Sequence, residues 1–152
     1  MPVPAEQTFK TKGGIAVTRS ARPADYAEGT SRWIDRLDAE RGAVLSSSYE
    51  YPGRYTRWDM ALVNPPLVLE SAGRNVEIRA LNARGLVLLP AIAGVLATHP
   101  DVEDFAASEG RMTLTVRKPA APFREEDRSR QASTFSVVRA IKELFACDDD
   151  QL

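Results

Sequence analysis

Two periods of hydrophobic and polar positions take turns along this chain. Residues 8–10 and 15–19 alternate as short strands on either side of Lys12-Gly13-Gly14, whose glycines can supply the positive φ of a hairpin turn. Over residues 24–41 the period lengthens to that of a helix. Tyr26, Trp33, Ile34 and Leu37 form one stripe, Arg32, Asp35, Arg36 and Glu40 face outward, and Gly42 is placed to end the element. Ala43-Val44-Leu45 then begins a buried strand. Alternation returns over residues 55–63, with Thr56, Trp58, Met60 and Leu62 on one face and Arg57 and Asp59 on the other, so Trp58 is expected to point into the core. Asn64-Pro65-Pro66 stops that strand, and residues 67–71 are expected to pair with residues 75–81 through the turn Ala72-Gly73-Arg74. A second helix is predicted over residues 86–98, its regular part starting at Pro90, where a missing N–H costs least. Residues 112–116 alternate as another strand, and the charged, proline-containing residues 119–130 read as a surface connection with one helical turn. Ser133 is the expected N-cap of a last helix over residues 134–146, with Phe135, Val138, Ile141, Leu144 and Phe145 on its buried face. The sum is an α+β fold, a largely antiparallel sheet with helices packed on one side.

Composition narrows the chemistry. At 152 residues the chain has the common size of one domain and is long enough to bury a core. Twenty basic against 21 acidic residues leave a formal charge of −1, so no global field favours nucleic acid or an anionic membrane surface, and neither is expected as a partner. The longest apolar stretch, residues 86–97, contains Pro90 and Gly94 and is too short to span a bilayer. MPVPAEQTFK lacks a basic segment followed by an apolar one, and the single cysteine, Cys147, suits a reducing compartment. A cytoplasmic protein is therefore expected.

Candidate reactive groups are sparse. His99 precedes Pro100 in a turn and reads as a solvated loop histidine. With one cysteine and one histidine, a Cys/His zinc site cannot be built. Ser46, Ser47 and Ser48 follow a strand but lack the G-x-S-x-G turn that exposes a hydrolase nucleophile. Gly13-Gly14 is too short to cradle a phosphate. Glu125-Glu126-Asp127 and Asp148-Asp149-Asp150 lie in charged runs that read as solvated, and Cys147 reads as a small buried hydrophobe. Arg54, Tyr55, Arg57 and Trp58 contain the elements of a stacking platform for single-stranded nucleic acid, but alternation separates Arg57 from Trp58. No catalytic residue, cofactor site or metal site is assigned.

The segments "RGAVLSSSYEYPGRYTRWDMALVNPPL" and "GRNVEIRALNARG" closely resemble the N-terminal region of anthranilate synthase, especially the fused type that joins the chorismate-using and glutamine-amidotransferase parts in one chain. The likeness runs from "TFKTKGGIAVTR" through "TFSVVRAIKELF". It implies the N-terminal part of the component I fold, in an enzyme that converts chorismate and glutamine to anthranilate, pyruvate and glutamate in tryptophan biosynthesis. It also implies magnesium in the full-length enzyme, feedback inhibition by tryptophan, and a homo-oligomer at full length. In that family chorismate and magnesium are held by a later region, and glutamine is hydrolysed by a separate amidotransferase domain. Residues 1–152 are accordingly expected to be an N-terminal fragment whose partners are those domains, and to be inactive by themselves. Two alternatives remain: a free-standing α+β ligand-binding module, and a related chorismate-aminating enzyme of secondary metabolism.

The resemblance also implies a feedback site. The family carries a Leu-Leu-Glu-Ser motif at the end of an early strand, about ten residues before an Arg-aromatic strand that runs into proline. Leu69-Glu70-Ser71 matches its letters, but Ser48, nine residues before Arg57-Trp58, matches its position. This register makes Leu45, Ser47 and Ser48 the candidate tryptophan-binding residues. Ser47 stands where the motif has a glutamate.

Overall fold

Strict in–out alternation in residues 75–80 and 111–116 builds the larger sheet, because a period of two sends every second side chain to the same face. The computed structural model describes residues 6–47, 59–119, 126 and 131–148. In chain order these form β1 (Glu6–Lys10), β2 (Ala16–Ser20), α1 (Tyr26–Leu37), β3 (Gly42–Ser46), β4 (Asp59–Val63), β5 (Leu67–Ala72), β6 (Asn75–Ala80), α2 (Ala83–Leu96), β7 (Val102–Ser108), β8 (Arg111–Val116) and α3 (Thr134–Leu144). Two units divide the chain: Met1–Ala21 with Pro66–Leu152, and Arg22–Pro65.

The first unit holds a four-stranded antiparallel sheet in the order β5-β6-β8-β7. Val76 and Ile78 of β6, with Met112, Leu114 and Val116 of β8, turn inward against Leu89, Ile92 and Leu96 of α2 and Val137 and Leu144 of α3. Ile92 and Leu96 are fully buried, and removing each from water stabilises the unit by about 1.5–3 kcal/mol. The first turn of α2 lies tight on the start of the sheet. A Cβ on Gly85 would stand 2.1 Å from Pro66 O and 3.0 Å from Ala80 Cα. Asn82 caps this helix by accepting a hydrogen bond from the Gly85 N–H at 3.2 Å.

The β1–β2 hairpin belongs to the same unit and is tied to the end of α3 through its turn. Thr11, 6% exposed, donates from Oγ1 to Leu144 O at 2.8 Å and accepts from the Ile15 N–H at 3.1 Å. The Lys12 and Gly13 N–H groups donate to Ala146 O at 2.7 Å and Leu144 O at 3.2 Å. These are carbonyls that a helix C-terminus leaves without internal partners. Gly14 adopts φ 83°, the left-handed region that glycine enters at no steric cost.

The second unit packs α1 against the antiparallel pair β3–β4, whose register sets Ala43 opposite Leu62, Val44 opposite Ala61, and Leu45 opposite Met60. Asp25 caps α1 by accepting from the Glu28 N–H at 3.1 Å.

Several sequence expectations need correction. Gly42 does not end the helix, which finishes at Leu37. It opens β3, where a Cβ would stand 2.2 Å from Leu62 O and 2.6 Å from Leu37 Cδ2. The strand expected to be buried at Ala43-Val44-Leu45 forms, but Leu45 is 57% exposed. Helix α2 starts at Ala83, so Pro90 lies inside it. In α3 the core takes Val137 and Leu144, one helical face, which leaves Phe135, on the opposite side of the helix, 74% exposed and Val138, just over a quarter-turn from Val137, at 43%. Strand β7 was not expected. Its alternation is broken by a register shift between Glu103 and Ala106, where Asp104 adopts φ 51°. Trp58, expected in the core, lies outside the described residues.

Candidate functional site

The candidate tryptophan-binding residues fall at the end of β3. Alternation along the strand puts Ala43 and Leu45 on one face and Val44 and Ser46 on the other. By the register, Leu62 and Met60 join Ala43 and Leu45 to make one apolar strip. Leu45, Met60 and Leu62 are 57%, 59% and 54% exposed. Ser47 follows the strand directly and is half-buried. Ser48 lies outside the described residues, as do Arg57 and Trp58, which set its register in the sequence.

The opposite face of β3–β4 meets α1 and encloses features that sequence reasoning missed. Tyr26, Thr30 and Trp33 of α1 and Val44, Asp59 and Ala61 of the strands line a hollow of about 270 Å³. The Tyr26 hydroxyl donates to the Asp59 carboxylate. The Arg36 guanidinium lies 5.1 Å from the Trp33 ring centre, within reach of a cation–π attraction. Arg36 also grips Glu40 through two hydrogen bonds of 2.8 Å. These bonds, ahead of the Coulomb attraction, hold the Glu40 carboxyl below its ordinary pKa against the opposing effect of desolvation. Aromatic walls beside carboxylates could greet a cationic aromatic molecule, but 270 Å³ falls below the roughly 300–1,000 Å³ of typical ligand pockets. No sequence signal joined Tyr26 to Asp59, 33 residues apart.

The competing motif, Leu69-Glu70-Ser71, lies on β5 in the other unit. Ser71 Oγ is 2.8 Å from Thr134 Oγ1, at the first turn of α3, so its hydroxyl ties the strand to the helix start. Glu70 belongs to a chain of ion pairs on the sheet face away from the helices. Arg79 reaches Glu70 at 2.6 Å and Glu77 at 3.0 Å, and Arg111 reaches Glu77 at 2.9 Å. The hydrogen bond that Arg79 donates to Glu70, then the negative charge of Glu70, raises the Arg79 pKa above its ordinary value. Beside these pairs, Asn75, Asp104, Thr113 and Thr115 border an open depression of about 450 Å³. His99 accepts from the Asp101 N–H at 3.2 Å through Nδ1 and shapes its own turn. Among the described residues no group of three or more His, Cys, Asp or Glu side chains is placed to hold a metal ion. No helix among the described residues is long and apolar enough to cross a membrane.

Comparison with known proteins decides the relationship. The chain is 44% identical over 144 residues, 95% of its length, to the anthranilate synthase of Azospirillum brasilense. The relatives of this chain are anthranilate synthases. A second, anthranilate synthase component 1 of Vibrio cholerae serotype O1, is 25% identical over 142 residues, or 93% of the chain. The chain spans 20% of the first anthranilate synthase and 26% of the second, about a fifth to a quarter of their lengths. No protein-family model matches the chain. No solved structure matches it significantly.

Proposed function

We propose that this chain is a regulatory and structural portion of an anthranilate synthase, the whole enzyme converting chorismate and glutamine to anthranilate, pyruvate and glutamate on the route to tryptophan. The observation that carries this reading is 44% identity sustained over 95% of the chain, whereas a shared local motif would match only a short stretch. Magnesium, the chorismate site and the glutamine-hydrolysing domain belong in this reading to parts of the enzyme that the chain does not span. The test is anthranilate formation, followed by its fluorescence, from chorismate and glutamine by the whole protein that carries this segment. A different aminated product would move the protein to another chorismate-using reaction. Residues 1–152 by themselves should form no anthranilate, even with magnesium and ammonia.

Within that enzyme Leu45, Ser47 and Ser48 contribute to the tryptophan feedback site. A strand end offers hydroxyls and backbone groups for ammonium and carboxylate, and the strip of Leu45 and Met60 offers apolar area for an indole. If Ser48 hydrogen-bonds tryptophan, Ser48→Ala removes roughly 0.5–1.5 kcal/mol, or about 3 if the partner is charged. Inhibition should weaken by about 2-fold to 150-fold. Ser71→Ala should leave inhibition nearly unchanged, because the Ser71 hydroxyl is engaged with Thr134. Relief of feedback by Ser71→Ala but by neither Ser47→Ala nor Ser48→Ala would transfer the motif to β5.

A further inference from the structure

Helix α3 has no C-terminal cap in its own sequence. The residues that follow its last turn, Phe145-Ala146-Cys147-Asp148, include no glycine or asparagine, and Phe145 ends the helix at φ −95° rather than in the left-handed region that closes many helices. The carbonyls at that end are engaged all the same. Leu144 O accepts from Thr11 Oγ1 at 2.8 Å and from the Gly13 N–H at 3.2 Å, and Ala146 O accepts from the Lys12 N–H at 2.7 Å. All three donors sit in the β1–β2 turn, and Thr11 stands 133 residues before Leu144. Shape follows the same contact. A Cβ on Gly13 would lie 2.4 Å from Leu144 O and 2.8 Å from Leu144 Cα, so glycine is needed there for close approach, while the positive φ of the turn falls on Gly14. Thr11 also closes the turn itself, through its N–H to Ile15 O at 2.9 Å and its hydroxyl to the Ile15 N–H at 3.1 Å.

We infer that the β1–β2 turn is a detachable C-cap for α3, a strap in which the turn and the end of the helix open and close as one unit while the four-stranded sheet stays folded. The two sides are bound together by shared donors and acceptors. With the hairpin withdrawn, Leu144 O and Ala146 O lose the partners that a helix end cannot supply to itself. With the helix end frayed, the Thr11 hydroxyl, in a residue 6% exposed, loses its acceptor. The strap is separable from the sheet because its contacts are mostly hydrogen bonds, whereas β6, β8 and α2 are held by buried Val76, Ile78, Met112, Ile92 and Leu96. Leu144 marks the boundary, its side chain in the core and its carbonyl in the strap. Whatever loosens the hairpin therefore loosens the end of α3, and with it the path of the chain through Cys147 and Asp148, without passing through the sheet. The inference stands on this geometry and does not depend on the catalytic reading above.

Amide hydrogen exchange in the whole protein carrying this segment, followed by mass spectrometry with residue-level fragmentation over a series of low urea concentrations, tests the strap. The amides of Lys12, Gly13, Ile15, Phe145 and Ala146 should share one opening equilibrium, agreeing within about twofold and falling with one urea dependence. They should open at least about tenfold more often than Ile78 and Leu114 in the sheet. Thr11→Val should speed all five by a common factor of about 30-fold to 150-fold. Gly13→Ala leaves every hydrogen-bonding group in place but inserts a Cβ against Leu144, and should speed them by about tenfold or more. Lys12→Gln removes only the pair between Lys12 Nζ and Asp148 Oδ1, exposed at both ends, and should change exchange by less than about twofold. The wild-type comparison stands without any variant, so a Gly13→Ala protein that does not fold leaves the test intact. Phe145 and Ala146 exchanging with the middle of α3, or fraying at a rate unrelated to Ile15, would overturn the proposal. So would acceleration of Ile15 by Thr11→Val with Phe145 and Ala146 unchanged. Opening of all five only together with Ile78 and Leu114 would equally refute it, because hairpin and helix end would then be ordinary parts of the core.

Discussion

Thr11→Val should destabilise the larger unit by about 2–3 kcal/mol. Valine nearly matches threonine in shape, so the change removes the hydroxyl and leaves packing almost intact. That hydroxyl is 2.8 Å from Leu144 O, to which it donates, and 3.1 Å from the Ile15 N–H, from which it accepts. Leu144 O retains the Gly13 N–H at 3.2 Å, so its loss is a net hydrogen bond, about 1 kcal/mol. The Ile15 N–H loses its acceptor in a half-buried turn, which costs a further 1–2 kcal/mol or so. For a protein between 100 and 200 residues each kcal/mol moves Tm by about 3–4 °C, so a fall of roughly 6–12 °C is expected. Thermal unfolding followed by circular dichroism, with urea titration for the free energy, measures it. Thr11→Ser keeps the hydroxyl and gives up a methyl group, and should cost less than the valine. If Thr11→Val melts with the wild type while Thr11→Ser falls, Thr11 acts through its methyl group and the clasp between hairpin and helix contributes no stability.

Gly85→Ala should destabilise by about 2–4 kcal/mol in urea titration, because the new Cβ would meet Pro66 O at 2.1 Å and force α2 off the sheet. A tolerated alanine would mean that the first turn of α2 is not held this close. Val137→Ala should cost about 1–3 kcal/mol while Phe135→Ala, at a side chain 74% exposed, stays within about 0.5 kcal/mol, the reverse of the order expected from residue size. The Glu40 carboxyl, whose pKa is lowered in the folded state, should support the end of α1 above the ordinary glutamate range, and that support should fade as pH falls through the folded-state pKa. A carboxyl-carbon NMR titration that finds Glu40 at the ordinary value, or unaffected by Arg36→Gln, would refute the pairing.

Elements whose signal is local were legible in the sequence. Lys12-Gly13-Gly14 and Ala72-Gly73-Arg74 announced hairpins because positive φ is cheap at glycine, and Gly14 and Gly73 adopt it. Ser133 announced the start of α3 because its place before a helical period is that of an N-cap, and its N–H donates to Ser136 Oγ at 3.2 Å. β7 escaped because a bulge at Asp104 destroys the alternation by which strands are read. The candidate site was legible by likeness rather than by chemistry. Three serines in a row have no distinguishing period, and the described portion of the site is an apolar strip with a serine at its end.

Sequence by itself determined the hairpin turns at Gly14 and Gly73, the period that segments other than β7 follow, and the kinship with anthranilate synthases, since all three are written in neighbouring residues or in their order. Tertiary structure decided which stripes are core. Val137 and Phe135 are equally apolar, yet one is buried and the other is 74% exposed, because burial depends on what stands opposite. The same holds for β3. Its alternation was predictable, but α1 covers the face of Val44 and leaves the face of Leu45 open, and pairing across 15 residues between Leu45 and Met60 is a contact that no local pattern encodes.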